Sequence, residues 1–133
     1  MGVSHRDIKN ENVILGRGGE VKLIDFGFAT SARRTELQCG TPNYMAPELF
    51  QKKCIYDPTK VDVWALGVLL FYLHEGCYPF KGYNEKDLLR NISSGKITYA
   101  RTINPSLRAI EAALALNPDS RCSLSELLSI LCN

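Results

Sequence analysis

Within the run His5-Arg6-Asp7-Ile8-Lys9-Asn10-Glu11-Asn12, an acid, a base and an amide fall inside six residues. Eighteen residues past Asp7 stands another carboxylate, in Asp25-Phe26-Gly27. Asp7, Asn12 and Asp25 offer two carboxylates and an amide oxygen, hard ligands suited to Mg²⁺ rather than zinc. Lys9 adds a positive charge of the kind that meets phosphate oxygens. Such a set fits phosphoryl transfer, in which catalysis is mostly positioning and charge neutralisation.

The elements that must position these residues are short. Val13-Ile14-Leu15 and Val21-Lys22-Leu23-Ile24 are apolar-rich runs separated by Gly16-Arg17-Gly18-Gly19-Glu20, which reads as a β-hairpin. Asn12 stands just before the first strand and Asp25 just after the second, so the hairpin brings Asp7, Asn12 and Asp25 to one end. Gly16 and Gly18 do not open a phosphate loop, because the third glycine of that pattern would fall on Val21 and no Gly-Lys-Ser/Thr follows. Residues 27–60 read as irregular, interrupted by Gly27, Gly40, Pro42, Pro47 and Pro58. Val63 to Leu73 is apolar almost all round, as in a helix at the centre of a core, and Gly76 and Pro79 end it. Asn84 caps a helix from Glu85 to about Ser93, with Gly95 beyond it. Asn104-Pro105 opens another reaching about Leu116, and a Ser123/Glu126 capping box opens a last one over Leu124–Leu131. The fold expected is mainly α (α+β): a helical bundle with a small hairpin near its start.

Composition narrows the function classes. The 133 residues are 45% hydrophobic and 23% charged, which fits an ordinary globular chain and not a disordered one. Sixteen Lys+Arg against 14 Asp+Glu leave +2, so neither nucleic acid nor an anionic membrane is expected as a partner. Five cysteines, odd in number and without a Cys-x-x-Cys pair, argue for reduced thiols. The longest apolar stretch, 11 residues over Val63–Leu73, is too short for a span. There is no signal-peptide pattern, and Arg6 spoils the acylation motif begun by Met1-Gly2. The expected location is cytoplasmic or nuclear.

The motifs resemble those of the eukaryotic protein kinases. H-R-D-x-K-x-x-N matches at all five specified positions, which chance yields at below about one in a million per site. Asp25-Phe26-Gly27 and Ala46-Pro47-Glu48 follow in the family's order. Gly40-Thr41-Pro42-Asn43-Tyr44-Met45-Ala46-Pro47-Glu48, Asp62-Val63-Trp64-Ala65-Leu66-Gly67-Val68 and Leu116-Asn117-Pro118-Asp119-Ser120-Arg121 are further long matches. Together they cover nearly the whole chain. Cys39 to Tyr44, Ala46 to Gln51 and Asn117-Pro118 are similar to the calcium/calmodulin- and AMP-activated-like group.

The resemblance implies roles. Asp7 would orient the substrate hydroxyl and accept its proton. Lys9 would contact the transferring phosphate, and a lysine there is the serine/threonine pattern. Asn12 and Asp25 would hold Mg²⁺ beside ATP, and Thr41 would bond near Asp7 and Lys9 and shape the acceptor site. Ile14 would floor the adenine, or be an ordinary strand residue; Leu69 and Leu73 would lie under the nucleotide, or simply pack. Glu48 and Arg121 resemble a buried ion pair, Asp62 an acceptor for the catalytic-loop backbone, and His5 and Phe26 two members of a stacked apolar column. The partner implied is a protein with a Ser or Thr acceptor, for which Glu11 could favour a basic neighbour.

The sequence also departs from the family. The usual phosphorylated threonine of the activation segment, Asp25 to Glu48, corresponds to Leu37, leaving Arg6 without its expected partner. Either Thr35 or Ser31 is phosphorylated instead, or Glu36 supplies a standing charge. The glycine-rich loop, the strand lysine and the helix glutamate of a kinase do not occur in these residues. Residues 1–133 are therefore expected to be most of a C-terminal lobe, roughly half of a domain of about 250 residues, without the N-terminal nucleotide lobe. Two functions follow: the catalytic half of a serine/threonine kinase, or a kinase-like binding module that transfers nothing. The long helix that in the family precedes the catalytic loop and packs on the central apolar helix is missing as well, which is expected to expose apolar surface around Val63 to Leu73 and lower solubility.

Overall fold

The chain opens on loop. A 3₁₀ turn at Asn10–Asn12 leads into β1 (Val13–Leu15), which pairs antiparallel with β2 (Val21–Leu23). Two more 3₁₀ turns, Pro42–Tyr44 and Pro47–Phe50, precede four helices: α1 (Pro58–Glu75), α2 (Glu85–Ser94), α3 (Leu107–Ala113) and α4 (Leu124–Cys132). This computed structural model describes residues 2–100 and 106–132. Asn104 and Pro105, expected to open the third helix, lie outside the described residues.

The hairpin register is Val13 opposite Leu23, Ile14 opposite Lys22 and Leu15 opposite Val21. Its turn closes where the Gly16 N–H donates to Glu20 O at 2.8 Å and the Gly19 N–H to Gly16 O at 3.0 Å. Gly19 has φ +84°, a conformation that costs glycine nothing. The strands have no buried face: Leu15 is 72% exposed and Val21 68%. The hairpin is held at its base instead, by the Ile24 N–H donating to Asn12 O at 2.9 Å.

Helix α1 organises the rest. It begins at Pro58, earlier than the break expected from the prolines and glycines of residues 27–60. Pro58 is a first-turn proline behind the Asp57 N-cap, whose carboxylate accepts the Thr59 N–H at 2.8 Å; there proline has no helical N–H to lose. Such a cap stabilises by about 1 kcal/mol. Gly76 ends the helix at φ +74°. The Trp64, Val68 and Phe71 side chains are fully enclosed by residues of the 3₁₀ turns, α2 and α3, including Leu49, Leu88, Ile92 and Ile110. Val63 packs with Ala109, Ala113 and Leu127 of α3 and α4. A Cβ on Gly67 would meet Ala113 Cβ at 2.8 Å, so α1 and α3 approach as closely as they do only because that position is glycine.

This packing corrects the expectation of a bared central helix. Between Val63 and Leu73 only Leu73, 71% exposed, presents a large apolar side chain to solvent. The exposed apolar groups gather elsewhere, on the hairpin and the loop after it: Leu15, Val21, Ile24, Phe26 and Phe28. Asn84 and Gly95 bracket α2 as expected, with the Asp87 N–H donating to Asn84 Oδ1 at 2.9 Å. Helix α3 ends at Ala113, short of Leu116, since the chain must turn there to present Arg121. The capping box forms: the Ser123 N–H donates to Glu126 Oε2 at 2.6 Å and the Glu126 N–H to Ser123 Oγ at 3.3 Å. The Ser123 N–H, with the Ser123 hydroxyl donating to the same oxygen at 2.8 Å, holds the Glu126 carboxyl below its usual range.

Arg121 and Glu48 join the two ends of this core. The guanidinium meets the carboxylate twice, at 2.8 and 3.0 Å. Its remaining N–H groups donate to the carbonyls of Lys60, Ala115 and Leu116, and it lies 5.0 Å from the centre of the Trp64 ring. Every donor is thereby used, which a buried guanidinium requires. Arg121→Met is expected to cost about 3–5 kcal/mol, because Glu48 stays buried without its partner. Urea unfolding against the unmodified protein measures this, and a loss under about 1 kcal/mol would put the pair among ordinary surface bridges.

Candidate functional site

The loop before the hairpin is built on α1. Asp62 accepts the backbone N–H groups of His5 and Arg6, both at 2.7 Å. It lies in the second turn of α1. Arg6 is held at φ +66°, in the left-handed region that non-glycine residues seldom adopt. Burial pushes the Asp62 carboxyl above the usual aspartate value, against the opposing pull of those two N–H donors.

His5 ties this loop to the one after β2. Its Nδ1 accepts the Asp7 N–H at 3.2 Å, so the ring proton sits on Nε2 and is donated to Ile24 O at 2.9 Å. The His5 ring also meets Phe26 edge to face, with centroids 4.8 Å apart. Asp25 thus sits between two residues that touch His5. It has φ +61° and is exposed, and one carboxylate oxygen accepts the Gly27 N–H at 3.2 Å.

Four of the six residues singled out from the sequence form a closed network. The Thr41 hydroxyl donates to Asp7 Oδ1 at 2.8 Å and accepts from Lys9 Nζ at 2.9 Å. The same ammonium lies 3.1 Å from Asp7 Oδ2. The Asn12 amide nitrogen donates to Asp7 O at 2.9 Å and to Asp7 Oδ2 at 3.3 Å. Asp7 and Asn12 are buried, while Lys9 and Thr41 are half-buried. Asp25 is tied in only through its neighbours Ile24 and Phe26, and among the described residues no hydrogen bond joins it to Asp7 or Asn12. Ile14 stands apart on the exposed hairpin; Leu69 is buried in the core and Leu73 points out. Glu11 is exposed beside the network.

The donor arithmetic says what this network has spare. A carboxylate has about four lone-pair sites, an ammonium three donors, and an amide two donors and one oxygen. Asp7 keeps room for one more donor, Lys9 keeps one N–H, and Asn12 spends both amide protons and leaves Oδ1 free. Among the described residues, no three His, Cys, Asp or Glu side chains cluster as a metal site.

Two of the five Arg6 side-chain donors meet neutral oxygens. Its Nε donates to Phe28 O at 2.6 Å and Nη1 to the Tyr56 hydroxyl at 3.4 Å. Tyr56 in turn donates to Leu37 O at 2.6 Å, and its backbone pairs with Thr35. Glu36 and Ser31 are exposed. Tyr56, and Tyr44 with its hydroxyl on Asn10, went unassigned in the sequence. The available signal was general: a buried tyrosine usually finds a partner for its hydroxyl.

The model of the protein kinase domain matches residues 1–130. The chain belongs to the protein kinase family. This kinase chain is 37% identical to CBL-interacting serine/threonine-protein kinase 5 of Arabidopsis thaliana, an alignment covering 96% of the chain and 30% of that protein. It is 39% identical to an Aurora kinase of Dictyostelium discoideum (96% and 33%). With serine/threonine-protein kinase kin-29 of Caenorhabditis briggsae it shares 40% (96% and 16%). The chain therefore spans a third or less of the length of each of these relatives.

Asp62 is expected to control the kinase loop. Asp62→Ala strands two N–H donors, at about 1–3 kcal/mol each, and hydrogen exchange at His5 and Arg6 should quicken accordingly. Because folding raises the pKa of this group, its contribution to stability is full below the ordinary aspartate value and is lost as pH rises through the raised one. Urea unfolding across the acid range should show the difference between the unmodified protein and Asp62→Ala shrinking in that direction. A constant difference would mean that the carboxyl titrates normally.

Proposed function

We propose that the chain is the catalytic half, the C-terminal lobe, of a serine/threonine protein kinase that transfers the γ-phosphoryl group of ATP to Ser or Thr hydroxyls of proteins. The observation that carries this reading is the Asp7–Lys9–Thr41 triangle, with one unused site on the carboxylate and one on the ammonium. The open site on Asp7 suits an acceptor hydroxyl, which the carboxylate orients and whose proton it takes. The spare Lys9 N–H suits an oxygen of the transferring phosphoryl group. Thr41 keeps both side chains at fixed separation, so the acceptor meets an arrangement already organised.

The donor set fits Mg²⁺: the free Asn12 Oδ1 and the exposed Asp25 carboxylate are hard oxygens, and this ion takes few protein ligands and fills the rest with water and phosphate. Bound there with ATP, it would neutralise phosphate charge as the bond to the leaving group breaks. Ile14 would offer its exposed side chain to the adenine. The names of two relatives given above carry the serine/threonine specificity, and Lys9 is its counterpart in this chain. Glu11, exposed next to the triangle, would favour a basic residue near the acceptor.

The complete protein, given ATP, Mg²⁺ and a Ser/Thr peptide mixture, is expected to phosphorylate it, and Asp7→Asn to lower kcat by about 10²–10⁴-fold. The 133 residues by themselves should transfer nothing above an Asp7→Ala control. Undiminished transfer by Asp7→Asn would sink the assignment of the base. A complete protein that binds peptides but never transfers phosphate would establish the binding-module reading.

A further inference from the structure

We propose that Tyr44 and Asn10 form a second clasp on the catalytic loop, making Tyr44 a positioning residue for Asp7 and Lys9. The inference rests on the phosphoryl-transfer reading above. The kinase motif leaves position 10 unspecified, and composition gives no reason to single out either residue.

The two side chains close a small ring of hydrogen bonds. The Tyr44 hydroxyl donates to Asn10 Oδ1 at 2.8 Å, while the Asn10 backbone N–H points to the same hydroxyl oxygen at 3.4 Å. Asn10 opens the 3₁₀ turn Asn10–Asn12, so its N–H has no partner within that turn. The phenol oxygen accepts that N–H, and its own O–H donates to the Asn10 side chain. Burial raises the Tyr44 phenol far above the ordinary tyrosine range, so it remains a protonated donor.

The reach of the clasp comes from where Tyr44 stands. It is the last residue of the 3₁₀ turn Pro42–Tyr44, and its N–H donates to Thr41 O at 2.8 Å. One rigid turn therefore carries both the Thr41 hydroxyl, which holds Asp7 and Lys9, and the Tyr44 hydroxyl, which holds Asn10. The four-residue stretch from Asp7 to Asn10 is gripped at both ends. Between the grips Lys9 is fully extended, at φ −161° and ψ 166°, with no side-chain cap of its own. The Lys9 carbonyl accepts the Asn12 N–H at 3.0 Å, which closes the turn but leaves the Asn10 N–H to the phenol. The Tyr44 ring is itself immobilised: it is buried and meets Tyr78 edge to face at 5.5 Å, and Tyr78 packs on Tyr72 at 5.0 Å. Small displacements of reacting groups cost large factors in rate, so a loose Asn10 end should appear in turnover rather than in binding.

The test uses the complete protein and four variants: Tyr44→Phe, Asn10→Leu, the double variant, and Asn10→Asp, which keeps an acceptor oxygen. Tyr44→Phe and Asn10→Leu should each lower kcat by about 10- to 100-fold and leave KM for ATP within about twofold. The double variant should be no slower than the worse single one, as expected for two halves of one interaction. Asn10→Asp should recover most of the rate. Amide exchange at residues 9–12 should quicken in Tyr44→Phe while Ile92 and Ile110 keep their protection. Single effects that multiply in the double variant, or a Tyr44→Phe rate within about twofold of the parent, would overturn the clasp. If the parent protein transfers no phosphate, the exchange comparison still decides: unchanged protection at residues 9–12 overturns the clasp, whereas its loss upholds the clasp although the kinase reading has failed.

Discussion

The loop that carries Asp7 owes its shape to a carboxylate on another element. Asp62 takes two backbone N–H groups from a stretch that has no helix or strand of its own to pair with. Those bonds fix His5 and Arg6, and with them the left-handed turn at Arg6 that redirects the chain toward Asp7. Without a partner of fixed position, a non-glycine residue would relax out of that turn. The helix that carries Asp62 is in turn immobile because Trp64, Val68 and Phe71 are enclosed. Burial of apolar surface in α1 is thus converted, through the Asp62 side chain, into the position of a loop whose one apolar anchor in the same core is Ile8.

The same constraint explains Gly40. A Cβ there would come within 3.1 Å of Arg6 O, and the residue has φ +116°. The activation segment crosses directly over the turn that Asp62 holds, and only glycine lets it pass closely enough for the next residue, Thr41, to reach Asp7. Farther along the segment, Glu48 is fixed by Arg121. The stretch between Gly40 and Glu48 is consequently pinned at one end to the Asp7 loop and at the other to the core, with the 3₁₀ turn Pro42–Tyr44 between them.

Much of this was legible in the sequence, and the parts that were not share a cause. Residue type and spacing sufficed for the hairpin, for the caps at Asn84 and Ser123, and for the Glu48–Arg121 pair, because each follows from local chemistry or from a motif. The start of α1 was misread because Pro58 interrupts a helix anywhere except its first turn, and that depends on Asp57 acting as the cap. The covering of Val63–Leu73 was misjudged because side-chain packing from α3 and α4 cannot be counted along a chain. The exposed faces of β1 and β2 were equally invisible: apolar runs report strand tendency, and nothing in them says what lies opposite. Within the site, Asp7, Lys9, Asn12 and Thr41 converge as expected. Tyr44 and Tyr56 were missed because a hydroxyl's partner is set in three dimensions.

Arg6 shows how the pieces combine. A buried guanidinium needs partners, and phosphate is one way to provide them. In this chain its hydrogen bonds end on Phe28 O and on the Tyr56 hydroxyl, and the nearby Asp62 carboxylate, already bonded to the Arg6 N–H, supplies opposite charge. Tyr56 then carries the connection onward to Leu37 O, so the segment around Leu37 meets Arg6 through neutral oxygens. Leu37 itself contributes only its backbone to this link, which is why its apolar side chain can stand in solvent without disturbing it. The order of the segment therefore depends on the same carboxylate as the order of the Asp7 loop, and Arg6 couples the two alongside the Thr41 and Tyr44 hydroxyls.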